Sequence, residues 1–262
     1  MSLRANNYYK AKSLEGAYKK LQENPKNAII AGGLWMKKTG LSYETLIDLS
    51  ELGLDKIEEK AGYIHVGAMV SLRDFENNPL INSLFSGAIA FGVREILGPA
   101  FRNSATIGGS VFGRYPFSDV IAALLPLDVK LVFYPKQEMS LEEYLNFRGK
   151  MDGILVEIII KKEEGKGYFK KVKTTALDFP MINFSIVKRN NKNYIAIGSR
   201  PLTAALAVKA MALADAGRFQ DAAEMAADEL QYLDSNNISK EYRQDLVQIG
   251  RASCRERVSL CV

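Results

Sequence analysis

Two pairs of adjacent glycines are the residues of this chain whose type and spacing best fit ligand chemistry. The first pair, Gly32-Gly33, follows the apolar run Ala28–Ala31. The second pair, Gly108-Gly109, lies within the polar stretch Asn103–Asp119, between two apolar helical runs. A backbone without a Cβ atom can approach a ligand closely and turn its N–H groups toward an anion. Two such turns predict a long phosphate-bearing cofactor that is held at two points.

Side chains for acid–base, nucleophilic or metal chemistry do not form a recognisable motif. The single histidine, His65, lies between Ile64 and Val66 without a Cys, Asp or Glu at ligand spacing, which favours a structural role. The sequence contains no Gly-x-Ser-x-Gly elbow, no Gly-x-x-x-x-Gly-Lys-Ser/Thr loop and no Gly-x-Gly-x-x-Gly fingerprint. We therefore predict neither a catalytic side chain nor a metal ligand, and a Rossmann fold is disfavoured.

The last fourteen residues differ from the rest of the chain in their apparent origin. Residues 249–258 can be encoded by a string that looks like read-through of a common sequencing adapter, so we predict that residues 249–262 are not native. The alternative is a genuine basic extension. Both cysteines, Cys254 and Cys261, lie in this tail, so the rest of the chain has no thiol for catalysis, disulfides or metal binding. The tail carries three arginines and one glutamate, so its removal lowers the net charge by two, from +5 to +3.

Bulk composition places the chain among ordinary soluble proteins. It has 262 residues, of which 47% are hydrophobic and 25% charged. Its first residues lack the apolar core of a signal peptide, and no later stretch has the apolar length of a transmembrane helix. We therefore predict a cytoplasmic protein without a membrane partner. A net charge of about +3 gives no argument for a nucleic acid partner.

The first glycine pair requires a small α/β lobe to position it. Capping and periodicity predict a helix over Ser13–Gln22 and strands over Ala28–Ala31 and Thr45–Leu49. A hairpin over Ile57–Ala68 and a long helical run over Pro79–Leu97 then lead to the second pair.

The second pair is followed by a predicted helix and two strands. After Lys161 the pattern changes to consecutive strands and then consecutive helices. We predict a helix over Asp119–Leu125, strands over Val129–Tyr134 and Ile154–Ile160, and a capping box at Ser140. The remaining predicted elements are three strands and then three helices: Tyr168–Thr174, Met181–Arg189, Tyr194–Ile197, Leu202–Asp215, Phe219–Leu233 and Glu241 to at least Val247. The fold class is therefore α+β.

These residues carry a resemblance to a known family. The chain resembles the FAD-binding subunit of molybdenum hydroxylases, the group of xanthine dehydrogenase and carbon monoxide dehydrogenase. The resemblance rests on a series of short motifs in a fixed order: Ala31-Gly32-Gly33, Asn103-x-Ala105-Thr106-Ile107-Gly108-Gly109, Pro116-x-x-Asp119, Leu124-Leu125-x-Leu127-Asp128, Gly153-Ile154-Leu155-x-Glu157-Ile158, Phe169-x-Lys171, Asp178-Phe179-Pro180, Ile197-Gly198-Ser199-Arg200-Pro201-Leu202 and Ser239-Lys240-Glu241-Tyr242-Arg243. It covers essentially the whole chain before residue 249.

The resemblance implies a domain order. Residues 1–164 would form a two-lobed FAD-binding domain of the PCMH type, with lobes of about 1–54 and 55–164. Residues 165–248 would form a domain like the C-terminal domain of the carbon monoxide dehydrogenase flavoprotein, with a three-stranded sheet and a three-helix bundle.

The resemblance also implies site residues. The first loop would bind the FAD diphosphate through backbone N–H groups, and the second would bind its other side. Asp119 would bond a hydroxyl of the cofactor, apolar residues would contact its rings, and Lys171 would reach it, although Lys170 is an equal neighbour. The implied cofactor-binding residues are Ile29, Ile30, Ala31, Gly32, Gly33, Leu34, Trp35, Ile96, Thr106, Ile107, Gly108, Gly109, Ser110, Asp119, Ile154, Leu155 and Lys171.

The chain departs from the family pattern at both loops. Most members have Thr followed by Asp or Asn after the first glycine pair, whereas this chain has Leu34-Trp35. Most members have Asn after the second pair, where this chain has Ser110 with a shorter reach. The first departure leaves only backbone contacts to the phosphates, and Ser110 is the weakest point of the second loop.

The function implied by the resemblance is electron transfer. A molybdopterin-binding large subunit would oxidise the substrate, and electrons would pass through the [2Fe–2S] small subunit and FAD to NAD+ or another acceptor. Two alternatives stay open. One is a stand-alone FAD reductase of related fold, and the other is a degenerate scaffold subunit without FAD.

Overall fold

The computed structural model describes residues 3–235 and 238–248. The predicted non-native tail, 249–262, lies outside these residues. The strands of the described part are β1 (Arg4–Lys10), β2 (Ala28–Ile30), β3 (Ser42–Asp48), β4 (Ile57–Lys60), β5 (Tyr63–Gly67), β6 (Val129–Tyr134), β7 (Gln137–Ser140), β8 (Ile154–Lys161), β9 (Gly165–Val172), β10 (Ile182–Arg189), β11 (Lys192–Gly198) and β12 (Ala205–Leu206).

Short helices lie between and after these strands. In chain order they are α1 (Leu14–Gln22), α2 (Leu72–Asn77), α3 (Pro79–Ser83), α4 (Ala88–Arg94), α5 (Pro99–Ser104), α6 (Ile107–Phe112), α7 (Asp119–Leu124), α8 (Leu141–Asn146), α9 (Val208–Asp215) and α10 (Phe219–Glu229). A further helix covers residues 240–248, and 3₁₀ turns cover Met36–Lys38 and Leu84–Gly87. None of the described helices combines the length and the apolar character that crossing a bilayer requires.

The described residues fall into two compact units, each assembled from separate stretches of chain. The first unit comprises the described parts of Met1–Phe75, Pro99–Gly113 and Val129–Ile160. The second comprises the described parts of Glu76–Gly98, Arg114–Asp128 and Lys161–Val262. The domain boundary at residue 164 and the lobe boundary at residue 54 stay predictions.

The first unit contains a parallel sheet in the order β1-β3-β2. Ser13 caps α1 by accepting a hydrogen bond from the N–H of Gly16, as predicted, and this helix buries Ala17 in one apolar cluster with Ile47. Strand β1 was not predicted from the sequence. Its residues are mostly polar and exposed, so it lacks the apolar alternation that marks a half-buried strand, and it forms by pairing with the buried strand β3.

A second sheet of the first unit has the order β4-β5-β8-β6-β7. The predicted hairpin and the two predicted strands at β6 and β8 are confirmed. The predicted capping box is also confirmed, because Ser140 accepts a hydrogen bond from the N–H of Glu143 and the Glu143 carboxylate accepts one from the N–H of Ser140.

The second unit is built on a sheet in the order β12-β11-β10-β9. The three predicted strands are confirmed, and α9, α10 and residues 240–248 are helical as predicted. The start of the first of these helices was wrong. Ala205–Leu206 pairs with β11 as β12, and α9 begins only at Val208. The apolar side chains of Phe184 and Ile197 and the alanines of α9 and α10 form the core of this unit.

The long helical run predicted over Pro79–Leu97 was also wrong, because the structure breaks it. Helices α3 and α4 are separated by a 3₁₀ turn in which Phe85 and Ser86 have φ values of +47° and +58°. Phe85 is 1% exposed, and a Cβ atom added to Gly167 would lie 2.9 Å from the Cβ of Phe85. Packing of this phenylalanine against β9 thus overrides the local helical preference. The α+β class itself is confirmed.

Candidate cofactor-binding site

The first glycine pair lies in a half-buried loop between β2 and the 3₁₀ turn Met36–Lys38. Gly32 lies against the backbone of Ser104, so closely that an added Cβ atom would overlap the Ser104 carbonyl group. Gly33 has a φ of +63°, in the left-handed region that favours glycine. Glycine is therefore required at each position for a different cause. At Gly32 it allows a close backbone approach, and at Gly33 it allows a left-handed turn.

The same approach brings the two predicted segments together. Ser104 ends α5, and Thr106 caps α6 two residues later, so Gly32 touches the chain immediately before the second segment. The residues Ile29–Trp35 and Thr106–Ser110 are thus neighbours within the first unit. A cofactor held at two points stays a prediction, and the two segments predicted to hold it lie side by side.

The second glycine pair does not lie in an open loop. It forms the first turn of α6, where Thr106 accepts a hydrogen bond from the N–H of Gly109 at 3.1 Å. The N–H of Gly108 donates to the carbonyl of Ala68 at 3.0 Å, and an added Cβ atom would lie 2.6 Å from the Cβ of Ala68. The N–H of Ser110 donates to the carbonyl of Thr106. Most backbone donors of this segment are therefore used within the unit.

The first loop, in contrast, has backbone N–H groups that are available to a ligand. The N–H groups of Gly32, Gly33 and Leu34 form no hydrogen bond with any other residue in the described part of the chain. Consecutive backbone N–H groups in a turn make a concave site that suits an anion such as a phosphate. The chemistry of this donor set fits one end of a diphosphate.

The aromatic side chain after this loop packs locally. The ring of Trp35 meets that of Phe101 edge to face, with centroids 6.3 Å apart. The ammonium of Lys38 lies 4.9 Å from the centroid of the Trp35 ring. Trp35 is half-buried, so part of its ring packs against the protein and part is accessible to solvent.

Several apolar residues of the predicted site pack inside the first unit. Ile154 is 2% exposed and belongs to the apolar cluster that contains Ile47 and Leu49, against which Ile29 packs. Leu155 is buried too, and Ile30 lies beneath Gly33. Ile107 is fully buried in α6. These side chains stabilise the elements from which the loops emerge.

Three predicted site residues lie in the second unit. Ile96 is half-buried just after α4. Lys171 donates from Nζ to Oδ2 of Asp119 at 2.8 Å, and the two side chains are 2% and 7% exposed. Of the two neighbouring lysines, the structure thus gives Lys171 the contact with Asp119. Its ammonium also donates to the carbonyl of Gly92.

A third member of this cluster was not predicted from the sequence. Asn183 on β10 is fully buried, and its side-chain N–H donates to Oδ1 of Asp119 at 2.6 Å. Burial raises the pKa of the Asp119 carboxyl, while Lys171 and Asn183 act in the opposite direction. The one available sequence signal was the alternation Asn183-Phe184-Ser185, which puts two polar residues on one face of a predicted strand.

Comparison with known proteins gives these loops a context. Residues 3–161 match the family model described as FAD binding domain in molybdopterin dehydrogenase. The chain belongs to this family. FAD is therefore the cofactor of this domain. Its diphosphate is the anion that the N–H donors of the first glycine loop would suit.

Individual proteins are similar to part of this chain in sequence. YgfM of Escherichia coli K12 is 37% identical over 119 residues, which cover 44% of this chain and 42% of YgfM. The nicotinate dehydrogenase FAD-subunit of Eubacterium barkeri is 26% identical over 178 residues, which cover 59% of this chain and 58% of that subunit. The matches thus span about half the length of these relatives.

The fold comparison covers the whole chain. A chain of carbon monoxide dehydrogenase from Hydrogenophaga pseudoflava superposes with a TM-score of 0.89 and 22% identity, over 100% of both chains. At this identity the likeness establishes the fold. It agrees with the α+β class expected from the sequence.

Proposed function

We propose that this chain is the FAD-binding electron-transfer subunit of a molybdopterin-containing hydroxylase or dehydrogenase in the cytoplasm. The observation that carries the proposal is the meeting of Gly32 with the Ser104 backbone, directly before Thr106. It joins both glycine segments of a chain from the FAD-binding family into one candidate site. The names of relatives such as the nicotinate dehydrogenase FAD-subunit support the same role.

The first loop is the proposed anchor for the diphosphate. The N–H groups of Gly32, Gly33 and Leu34 have no other partner among the described residues and would donate to phosphate oxygens. Thr106–Ser110 would form the opposite wall. The structure supports a shape-giving role for this wall, because Gly108 and Gly109 already donate within the unit.

The remaining proposed contacts are Ile29, Ile30, Ala31, Trp35, Ile96, Ile107, Asp119, Ile154, Leu155 and Lys171. Ile107, Asp119, Ile154 and Leu155 are buried, which favours an indirect contribution from these four. Asp119 and Lys171 bind each other in the second unit, and Ile154 belongs to an apolar cluster of the first, so each would hold the backbone of its own unit in place. We name no general acid or base among them.

Bound FAD would supply the redox chemistry, accepting two electrons and releasing them singly or as a hydride. This chain's residues would place the cofactor and limit its contact with water. Electrons would arrive from a [2Fe–2S] small subunit and originate at a molybdopterin-binding large subunit. They would leave to NAD+ or another acceptor.

Flavin absorbance tests the cofactor part of this proposal. The purified chain, or the chain reconstituted with FAD, is expected to absorb in the visible range with one flavin per chain. A protein that stays colourless after reconstitution would instead fit a scaffold subunit. Co-purification tests the assembly part, because molybdopterin and iron–sulfur chains should accompany a tagged version. Turnover of a substrate by the isolated chain would contradict the subunit role.

A further inference from the structure

The first glycine loop offers neutral backbone donors to a ligand that is negatively charged. Leu34 is apolar, and the loop Ala31–Trp35 contains no charged side chain. The diphosphate of FAD carries negative charge at neutral pH, and a nearby cation adds a Coulomb attraction to the hydrogen bonds that backbone N–H groups donate to it. A cation close to this loop would therefore improve binding.

Lys38 lies in a position to supply that cation. Its N–H donates to the carbonyl of Trp35 at 2.9 Å, which closes the 3₁₀ turn, and its ammonium lies 4.9 Å from the centre of the Trp35 ring. The contact with Phe101 fixes that ring in turn. The ammonium is thus held beside the residue that directly follows the three N–H donors.

Lys38 also has no competing charge. It forms no ion pair with any residue in the described ranges, and its side chain is exposed. Lys37 shares the charge and the exposure, but within the same ranges it makes no contact with an aromatic ring. The two neighbours therefore differ in one respect, namely whether an aromatic face fixes the ammonium near the loop.

We propose that Lys38, held over the Trp35 ring, is a phosphate-binding residue of this chain and provides the positive charge that the glycine loop lacks. The inference rests on the proposed FAD site. It assigns Trp35 as a positioning residue, whose ring orients the ammonium through a cation–π contact. The ligand group it recognises is the diphosphate.

The test compares Lys38→Gln with Lys37→Gln in the full chain, by calorimetric titration of the apo form with FAD. An exposed charge pair is worth up to about fivefold in affinity at low ionic strength, so Lys38→Gln is expected to raise the Kd for FAD about three- to fivefold. In about 0.5 M salt the difference should disappear, because the screening length falls to roughly 4 Å. Lys37→Gln should stay within about 1.5-fold of the wild type.

Variants of the ring test the positioning step. Trp35→Leu should weaken FAD binding, Trp35→Phe should restore part of it, and Lys38→Gln should add no further loss in the Trp35→Leu background. Riboflavin, which has no phosphate, should bind the wild type and Lys38→Gln equally.

Three outcomes would overturn the inference while leaving the FAD site in place. They are equal Kd values for Lys38→Gln and Lys37→Gln, additive losses in the double variant, or a loss that persists in high salt. A wild-type chain that binds no FAD would overturn the proposed function, and this inference with it.

Discussion

The ammonium of Lys171 and the carboxylate of Asp119 form a buried ion pair, with Nζ and Oδ2 2.8 Å apart. Asn183 donates to the other carboxylate oxygen, so polar side chains from α7, β9 and β10 are joined by hydrogen bonds inside the second unit. Asp119 and Lys171 were expected at a ligand, whereas Asn183 was not predicted. Their geometry shows that they also hold helix α7 on its sheet.

Removal of one partner of this pair should be costly. Lys171→Met would leave the Asp119 carboxylate buried without its cation, and we expect the free energy of unfolding to fall by about 3–5 kcal/mol. Denaturant unfolding, monitored by circular dichroism, measures this free energy. The double variant Lys171→Met with Asp119→Asn should recover much of the loss, since no charge then remains buried.

An exposed ion pair provides the control. Lys130 and Glu138 are 3.0 Å apart with side chains 55% and 54% exposed, so Lys130→Met should cost no more than about 1 kcal/mol. Equal losses for Lys171→Met and Lys130→Met would contradict a structural role for the buried pair.

The close approach at Gly32 predicts a specific intolerance. Gly32→Ala should lower both stability and FAD affinity, because the methyl group would overlap the Ser104 carbonyl and push the two segments apart. Gly53→Ala is the matched control. Gly53 has a φ of +66° and no atom within 4 Å of an added Cβ, so this change should cost only about 1 kcal/mol of backbone strain and leave the Kd for FAD unchanged.

The second glycine pair predicts opposite results for adjacent positions. Gly108→Ala should destabilise the first unit, because the new methyl would lie 2.6 Å from the Cβ of Ala68. At Gly109 an added Cβ meets only the Thr106 hydroxyl, at 3.0 Å, so Gly109→Ala should fold normally. Thermal unfolding separates the two. Gly109→Val should abolish flavin binding if this segment forms a wall of the site, and full FAD occupancy would show that the wall lies elsewhere.

Acid sensitivity should depend in part on Glu163. Burial tends to raise the pKa of this carboxyl, but hydrogen bonds from Asn190 and Lys161 and the charge of Arg189 outweigh it and lower the pKa. A lowered pKa in the folded state stabilises the fold above the ordinary glutamate pKa, and this contribution is lost as the pH falls through the folded value. Glu163→Gln should therefore flatten the stability profile on the acid side. A variant profile parallel to that of the wild type between pH 5 and pH 2 would contradict this.

Sequence patterns predicted elements well wherever local chemistry determines them. The Ser140 capping box needs only residues three apart, and β6 and β8 carry strong apolar signals. Patterns failed where distant residues decide. β1 is a polar strand that exists because β3 lies beside it, and the break at Phe85 follows from packing against Gly167.

The site shows the same division. Motif order singled out the two glycine segments, and in the structure Gly32 of the first lies against Ser104, just before the second. Their binding of FAD stays a prediction. The cap at Thr106 was a local signal that the second glycine pair begins a helix, and it went unused. The sequence could not reveal that Ala68 and Val70, far along the chain, accept the first N–H groups of this helix. Nor could it reveal Asn183, whose partner Asp119 is 64 residues away.

The order β4-β5-β8-β6-β7 has a consequence during synthesis on the ribosome. Strand β5 ends at Gly67, but its second neighbour, β8, begins only at Ile154, so about 90 residues must be translated before the free edge of β5 is covered. At typical translation rates this takes roughly 5–20 s. During that interval the nascent chain exposes an unpaired strand edge, which makes this hairpin the segment that a chaperone would be expected to protect.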